Sequence, residues 1–335
     1  MTKTGKVSHG FFESKIAPKL GANREDVMIG PAYGVDFGVI KIGKYRILAA
    51  TDPISILPEL GWKQAGRFAI SFVFADIAVS GIAPTHLSIS FALPDTIKDA
   101  EFAQLWAGIH DECQSLDISV ITGHTSRYAE SQFPWVGSAT AMAVTDQQHL
   151  IRPDGANPGD TVLITRGPAI ETTGLLTTVF PNQIPVDDRT LKTAQQLLDE
   201  TAVVDDALTA ATAGNITAMH DVTEGGIYGA LCELSLANNV GLDIETASIP
   251  VRPVVQEISS ALEFDPWLAT SAGSLLICVD PADTDAVLTT LEDANIPIGV
   301  AGTVTDKEEV VIDGTAISPP SVDSSWGVYN RLRST

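Results

Sequence analysis

Two carboxylates and two glycines fall within six residues in His220-Asp221-Val222-Thr223-Glu224-Gly225-Gly226, and an apolar helical stretch with Ile227, Leu231 and Leu234 follows. Such a turn can hold a metal ion, or bring bare backbone amides against an anion at a helix start. Asp221 is the metal candidate, and Gly225 and Gly226 are the candidates for phosphate contact.

The N-terminal half holds four further polar interruptions: Gly34-Val35-Asp36-Phe37-Gly38, Ala50-Thr51-Asp52-Pro53, Phe74-Ala75-Asp76-Ile77-Ala78 and Ile121-Thr122-Gly123-His124-Thr125-Ser126. Asp36 and Asp52 stand beside strands. Carboxylates at strand ends facing one cleft suit Mg2+, which takes one or two protein carboxylates plus phosphate oxygens and water. The plainer role for each is a turn-forming Asp. Asp76 interrupts an otherwise apolar helical run. Buried without a partner, a carboxylate costs several kcal/mol. It is tolerated if it caps amides, pairs with Arg67, or helps to hold a metal or water, and Asp76 is a candidate catalytic and cofactor-binding residue. His124 is a candidate acid, base or phosphate contact near neutral pH. Gly123 and Thr125 flank it as phosphate-side candidates. Thr165 to Gly174 joins a strand to a helix but is neither a Walker A loop nor a GxGxxG fingerprint. A nucleotide triphosphate site is the chemistry that the acidic series supports together.

These residues need elements to position them. Alternation predicts strands over 35–40, 45–51, 85–93, 119–122 and 136–144, with Leu87, Ile89 and Phe91 facing inward. Helices are expected over 11–20, 62–80 and 98–116. The turn-rich stretch Arg152 to Asp160 marks a boundary. Beyond it, strands are expected at 161–165, 216–218, 275–279 and 298–303, and helices at 172–179, 190–213, 226–238 and 282–294. The expected fold is α+β / α/β in two domains, 1–155 and 156–335. The first carries a mostly antiparallel sheet with helices on one face; the second is an α/β sandwich.

Composition bounds the partners. Among 335 residues, 42 are acidic and 20 are Lys or Arg, a net charge of −22. That sign opposes non-specific nucleic-acid or anionic-membrane binding and fits a protein kept soluble in concentrated salt. Cys113, Cys232 and Cys278 are isolated, which argues against a zinc knuckle or disulfide framework. No apolar leader or membrane-length run is present, so a soluble cytoplasmic protein is expected.

In order and spacing these segments resemble the AIR synthase-related superfamily over about residues 28 to 312, the hydrogenase-maturation branch most of all. Further matching pieces are Ala75 to Pro84, Arg152-Pro153, Asn157-Pro158-Gly159-Asp160 and Ser271-Ala272-Gly273-Ser274-Leu275-Leu276-Ile277. The resemblance implies a homodimer formed through N-terminal sheets into a barrel-like interface, with ATP and Mg2+ in a cleft there. It matches Asp36, Asp52, Asp76 and Asp221 to the family's acidic positions, and Gly123 and Thr125 to its phosphate-side loop. The implied chemistry is ATP-dependent activation of an oxygen on an amide-like or phosphate-accepting small molecule. Departures stand at Val35, Ala75 and His124, where the family often carries acidic or amide residues. The branch's C-terminal cysteine has no counterpart after Cys278, so action on its own tail is not expected. A non-catalytic nucleotide-binding regulator and a thiamine-monophosphate kinase are the alternatives.

Overall fold

The computed structural model describes residues 5–147 and 149–334; Lys3 and Thr335 lie outside them. Six strands form the first sheet: β1 (Val27–Ile29), β2 (Gly38–Ile42), β3 (Tyr45–Ser55), β4 (His86–Pro94), β5 (Ser119–Tyr128) and β6 (Trp135–Thr145). Their order is β1-β2-β3-β6-β4-β5, antiparallel throughout except for the parallel β4–β5 pair. After a short α1 (His9–Phe11), the long helices α2 (Trp62–Ala78) and α3 (Asp99–Ser115) cover this half.

Alternation along β3 explains the site. Leu48, Ala50 and Ile54 point into the core shared with Ile70, Val73 and Phe74 of α2. Asp52 takes one place in that inward series, so the strand itself aims a carboxylate at α2. Thr51 and Pro53 point to the other, open face.

The second half holds seven strands: β7 (Thr161–Thr165), β8 (Ile216–Asp221), β9 (Gly241–Ile244), β10 (Leu275–Val279), β11 (Ile298–Thr305), β12 (Val310–Ile312) and β13 (Thr315–Ile317). Their order is β13-β12-β9-β11-β7-β10-β8. The helices are α4 (Ile170–Val179), α5 (Asp188–Gln195), α6 (Val204–Ala213), α7 (Gly226–Asn238), α8 (Pro253–Leu262), α9 (Thr284–Asp293) and α10 (Ser324–Arg333). Every residue of β10 is buried, and its side chains divide between two cores. Leu275, Ile277 and Val279 join Ala207 and Val287 of α6 and α9 in the core that also fills the N-terminal half. Leu276 and Cys278 join Ile227 and Leu231 of α7 on the opposite face. This is the two-domain fold expected, with mixed sheets and helices.

Several elements differ from the sequence reading. Residues 35–37 form a loop and the strand starts at Gly38. The helix expected over 190–213 breaks into α5, a 3-10 turn and α6, which lets Glu200 meet Arg166 and Arg252. The strand expected to end at Thr122 runs on to Tyr128, so Gly123, His124 and Thr125 are strand and not loop. No helix among the described residues is long and apolar enough to cross a membrane.

Candidate functional site

Asp52 on β3 and Asp76 in the last turn of α2 face each other and share a hydrogen bond. Asp221 ends β8, and its neighbour His220 points to the opposite side of that strand. There the imidazole Nδ1 lies 2.8 Å from Asp36 Oδ2, and Nε2 lies 3.1 Å from Glu233 Oε2 on α7. Asp36 reaches His220 from the 30–37 loop because Gly34 lets that loop press on α7. Gly34 has φ +76°, and a Cβ there would stand 2.5 Å from the Glu233 carbonyl oxygen. Asp36, His220 and Asp221 bring possible ligand atoms within 4.8 Å of one another.

One residue enters from far away in sequence. Lys6 Nζ donates to Glu233 at 3.0 and 3.2 Å and to Thr223 Oγ1 at 3.3 Å. Its backbone N–H meets both Glu224 carboxylate oxygens at 3.2 Å. The stem of Lys6 stays half-exposed while its ammonium faces the acids.

The electrostatics separate these acids into two groups. Burial works against a charged Glu233, yet Lys6 and His220 outweigh it and hold the carboxyl down to about 2. His220 is held well above its ordinary range, because Asp36 and Glu233 together overcome its burial. Doubly bonded and cationic, it braces the carboxylates and has no free nitrogen for a metal. Burial is also the first cause for the second group, but here no adequate cation offsets it. Asp221 is pushed up to about 7 by burial and by Asp36. Asp52 is raised by burial, with Asp36 adding repulsion. Asp76 is raised far above the carboxylate range by burial and then by Asp52, Asp221 and Asp36. With Asp36 beside them, these three raised carboxyls form an all-oxygen donor set matched to a hard divalent cation.

These acids line one cavity of about 580 Å³, within the rough 300–1,000 Å³ range of small-molecule and cofactor sites. Lys6, Tyr33, Thr223 and Glu224 line the same wall, and Phe72, Trp135, Glu171, Leu175, Trp326 and Tyr329 line the rest.

Other candidates lie elsewhere. Asp52 pairs across the sheet with Ala139, Ala139 with Ile89, and Ile89 with Gly123. Three strand spacings put Gly123 about 14 Å from Asp52. His124 falls in the row Pro53–Ser138–Ser90–His124 on the open face, exposed, its Nε2 2.7 Å from Ser126 Oγ. Within one chain, then, Gly123, His124 and Thr125 are outside the cavity that Asp36, Asp52, Asp76 and Asp221 line. Gly225 and Gly226 start α7 but do not line the cavity, and the Gly225 N–H is already capped by Asp323 at 2.8 Å. Lys6 and Glu233 were missed in the sequence. A lone acid in the apolar helix of Leu231 and Leu234 was the available signal for Glu233; no local signal marks Lys6.

The fold agrees with the comparisons to known proteins. The chain belongs to the AIR synthase related protein family: residues 34–144 match its N-terminal domain and residues 157–314 its C-terminal domain. A protein of Methanocaldococcus jannaschii provisionally assigned to hydrogenase expression/formation is 25% identical over 96% of this chain and 95% of its own length. The carbamoyl dehydratase HypE of Rhizobium leguminosarum bv. viciae is 27% identical over 76% of this chain and 72% of its own. Among solved structures, the hydrogenase maturation protein HypE in complex with ATP superposes with a TM-score of 0.67 at 19% identity, covering 96% and 97% of the two chains. The ThiL protein complexed with AMPPCP and TMP gives 0.69 at 19% identity, covering 85% and 89%.

Proposed function

We propose that this chain binds ATP with Mg2+ in the acidic cleft and activates an amide-like or phosphate-accepting small molecule by phosphoryl transfer. The observation that carries this reading is the convergence of Asp36, Asp52, Asp76 and Asp221, from four separate stretches, on one cavity with no adequate cation of their own. Asp36, Asp52 and Asp221 would hold the metal. Mg2+ bound there would offset the charge on phosphates during transfer. Asp76, which retains its proton beside Asp52, is the acid–base candidate. The ATP-bound relative of the same fold supports the nucleotide assignment.

The reading extends to a homodimer. The open face of the first sheet exposes Ile40, Val144, Ile121 and Trp135, and β5 is an edge strand of ten residues. Long exposed edges with apolar neighbours invite pairing. Pairing through this face would put Gly123, His124 and Thr125 at the seam between protomers, the route by which they would meet a nucleotide.

Calorimetric titration with a non-hydrolysable ATP analogue, with and without Mg2+, tests the assignment. Binding should require Mg2+, and Asp52→Asn should weaken it at least about tenfold, one hydrogen bond or ligand to a charged group. Equal binding by Asp52→Asn in Mg2+ overturns the metal assignment. Nucleotide binding without phosphate release, across a panel of acceptors, would make the protein a regulatory homologue.

A further inference from the structure

From Gly5 to Met28 no residue is buried, and α1 and the turns Phe12–Ile16 and Ala17–Lys19 contribute nothing to the cores. Val7, Phe11 and Leu20 are each about half exposed. A segment with so little apolar burial belongs to the least stable end of a fold. Yet Lys6, Val7 and Phe12 line the cavity. The segment therefore forms an outer wall of the cleft.

What holds this wall is polar. The Lys6 N–H reaches both Glu224 carboxylate oxygens at 3.2 Å. Its ammonium reaches the two Glu233 oxygens at 3.0 and 3.2 Å and Thr223 Oγ1 at 3.3 Å. His9 adds an edge contact to Tyr33, with ring centroids 5.1 Å apart. Gly5 lets the chain press in here: its φ is +106°, and a Cβ would collide with the Glu224 carboxylate.

Lys6 is also the one cationic side chain among the described residues that lines the cavity. Burial works against its charge, but Glu233, and beyond it Asp36 and Asp221, hold the ammonium above its ordinary range. It acts in turn on Asp52, Asp76 and Asp221, easing the effect of the burial that raises them. Lys6 thus supplies part of the charge that a divalent cation on Asp36, Asp52 and Asp221 would supply in full. The two compete. A divalent charge on those acids withdraws their pull on the ammonium and adds repulsion, leaving Glu224 and Glu233 to hold the segment.

We propose that residues 5–16 are an autoinhibitory strap, latched across the cleft by Lys6 while the acid cluster holds no metal, and freed when a divalent cation at the cluster displaces the ammonium. Phe12 would leave with the strap, so metal binding would open this wall of the cleft. The proposal rests on the reading of Asp36, Asp52 and Asp221 as the Mg2+ site. Coupling of this kind is reciprocal: whatever loosens the strap must tighten metal binding.

Hydrogen exchange followed by mass spectrometry, on the full chain with Mg2+ alone, reads the strap, and calorimetric titration reads the metal. Peptides covering 5–16 should exchange faster with Mg2+ than without it. Lys6→Met and Gly5→Ala should each exchange there without Mg2+ as fast as the parent does with it. Both should bind Mg2+ at least about fivefold more tightly than the parent. Gly5→Ala keeps every charge, so it separates release of the strap from the loss of a cation. Mg2+ binding that leaves exchange over 5–16 unchanged or slower overturns the strap and leaves the metal site standing. Tighter binding by Lys6→Met with parent affinity in Gly5→Ala also overturns it, as an effect of charge alone. No Mg2+ binding by the parent or either variant overturns the strap and the metal reading together.

Discussion

Mg2+ should stabilise this protein more at pH 8 than at pH 6, and Asp221 sets the difference. Its folded-state pKa of about 7 lies above the ordinary 3.8. The folded, metal-free protein therefore holds a proton that the unfolded chain has released. That contribution to stability is fully present below pH 3.8 and is lost as pH rises through 7. At pH 8 the carboxylate is free to take a cation. With Mg2+ at a hundred times its Kd, linkage adds about 2.7 kcal/mol. At pH 6 roughly one molecule in eleven has Asp221 ionised, the effective affinity falls about tenfold, and the gain shrinks to about 1.4 kcal/mol. At about 2–4 °C per kcal/mol for domains of this general size, the Mg2+-induced rise in Tm should be about 3–5 °C smaller at pH 6. Scanning calorimetry at the two pH values, with and without Mg2+, reads this directly. Asp221→Asn should reduce the pH dependence of the Mg2+ effect, leaving what the raised Asp52 and Asp76 contribute. Equal Mg2+ shifts at both pH values in the parent protein would refute the crowded-carboxylate argument.

Other outcomes follow from the same geometry. Glu233→Gln leaves Lys6 and His220 without their shared counter-charge and should cost about 3–5 kcal/mol, as for breaking a buried ion pair, visible as a lowered denaturant midpoint. Val144→Glu on the open face of the first sheet should turn a dimer into a monomer in light scattering without changing the fold by circular dichroism; an unaltered mass would move the interface elsewhere. With 22 more negative than positive charges, the protein should lose stability on dialysis to low salt, and unchanged unfolding in dilute buffer would contradict a salt-adapted surface.

The acids were legible in the sequence by different cues: Asp36 and Asp52 stood beside expected strands, Asp221 stood in a turn with two glycines, and Asp76 broke an apolar helical run. Asp52, expected just after a strand ending at Thr51, lies inside β3 in the inward series Leu48–Ala50–Ile54, and Asp76 interrupts Phe74–Ala75–Ile77. Strand β7 and helix α7 were read to the residue, one from its continuous apolar run and the other from the glycines before it. The same cue misled at Gly123. Glycine there breaks nothing; it allows β4 to approach, since a Cβ would stand 2.4 Å from the Ile89 carbonyl oxygen. Gly225 and Gly226 likewise looked like a phosphate cradle, but Asp323, 98 residues away, already takes the first amide. Lys6 was invisible because its partner Glu233 is 227 residues distant, and no local spacing encodes such a meeting.

The core that the N-terminal sheet shares with Leu275, Ile277 and Val279 of β10 carries a last consequence. Two modules can be recognised in the sequence, yet they are not two thermodynamic units. Either half made alone would leave its share of that core in water, at roughly 25 cal/mol for each Å² of apolar surface. Separated halves should aggregate where the whole chain dissolves. The shared core thus ties the two matched regions, 34–144 and 157–314, into one packed body, and the cavity has its walls on that body.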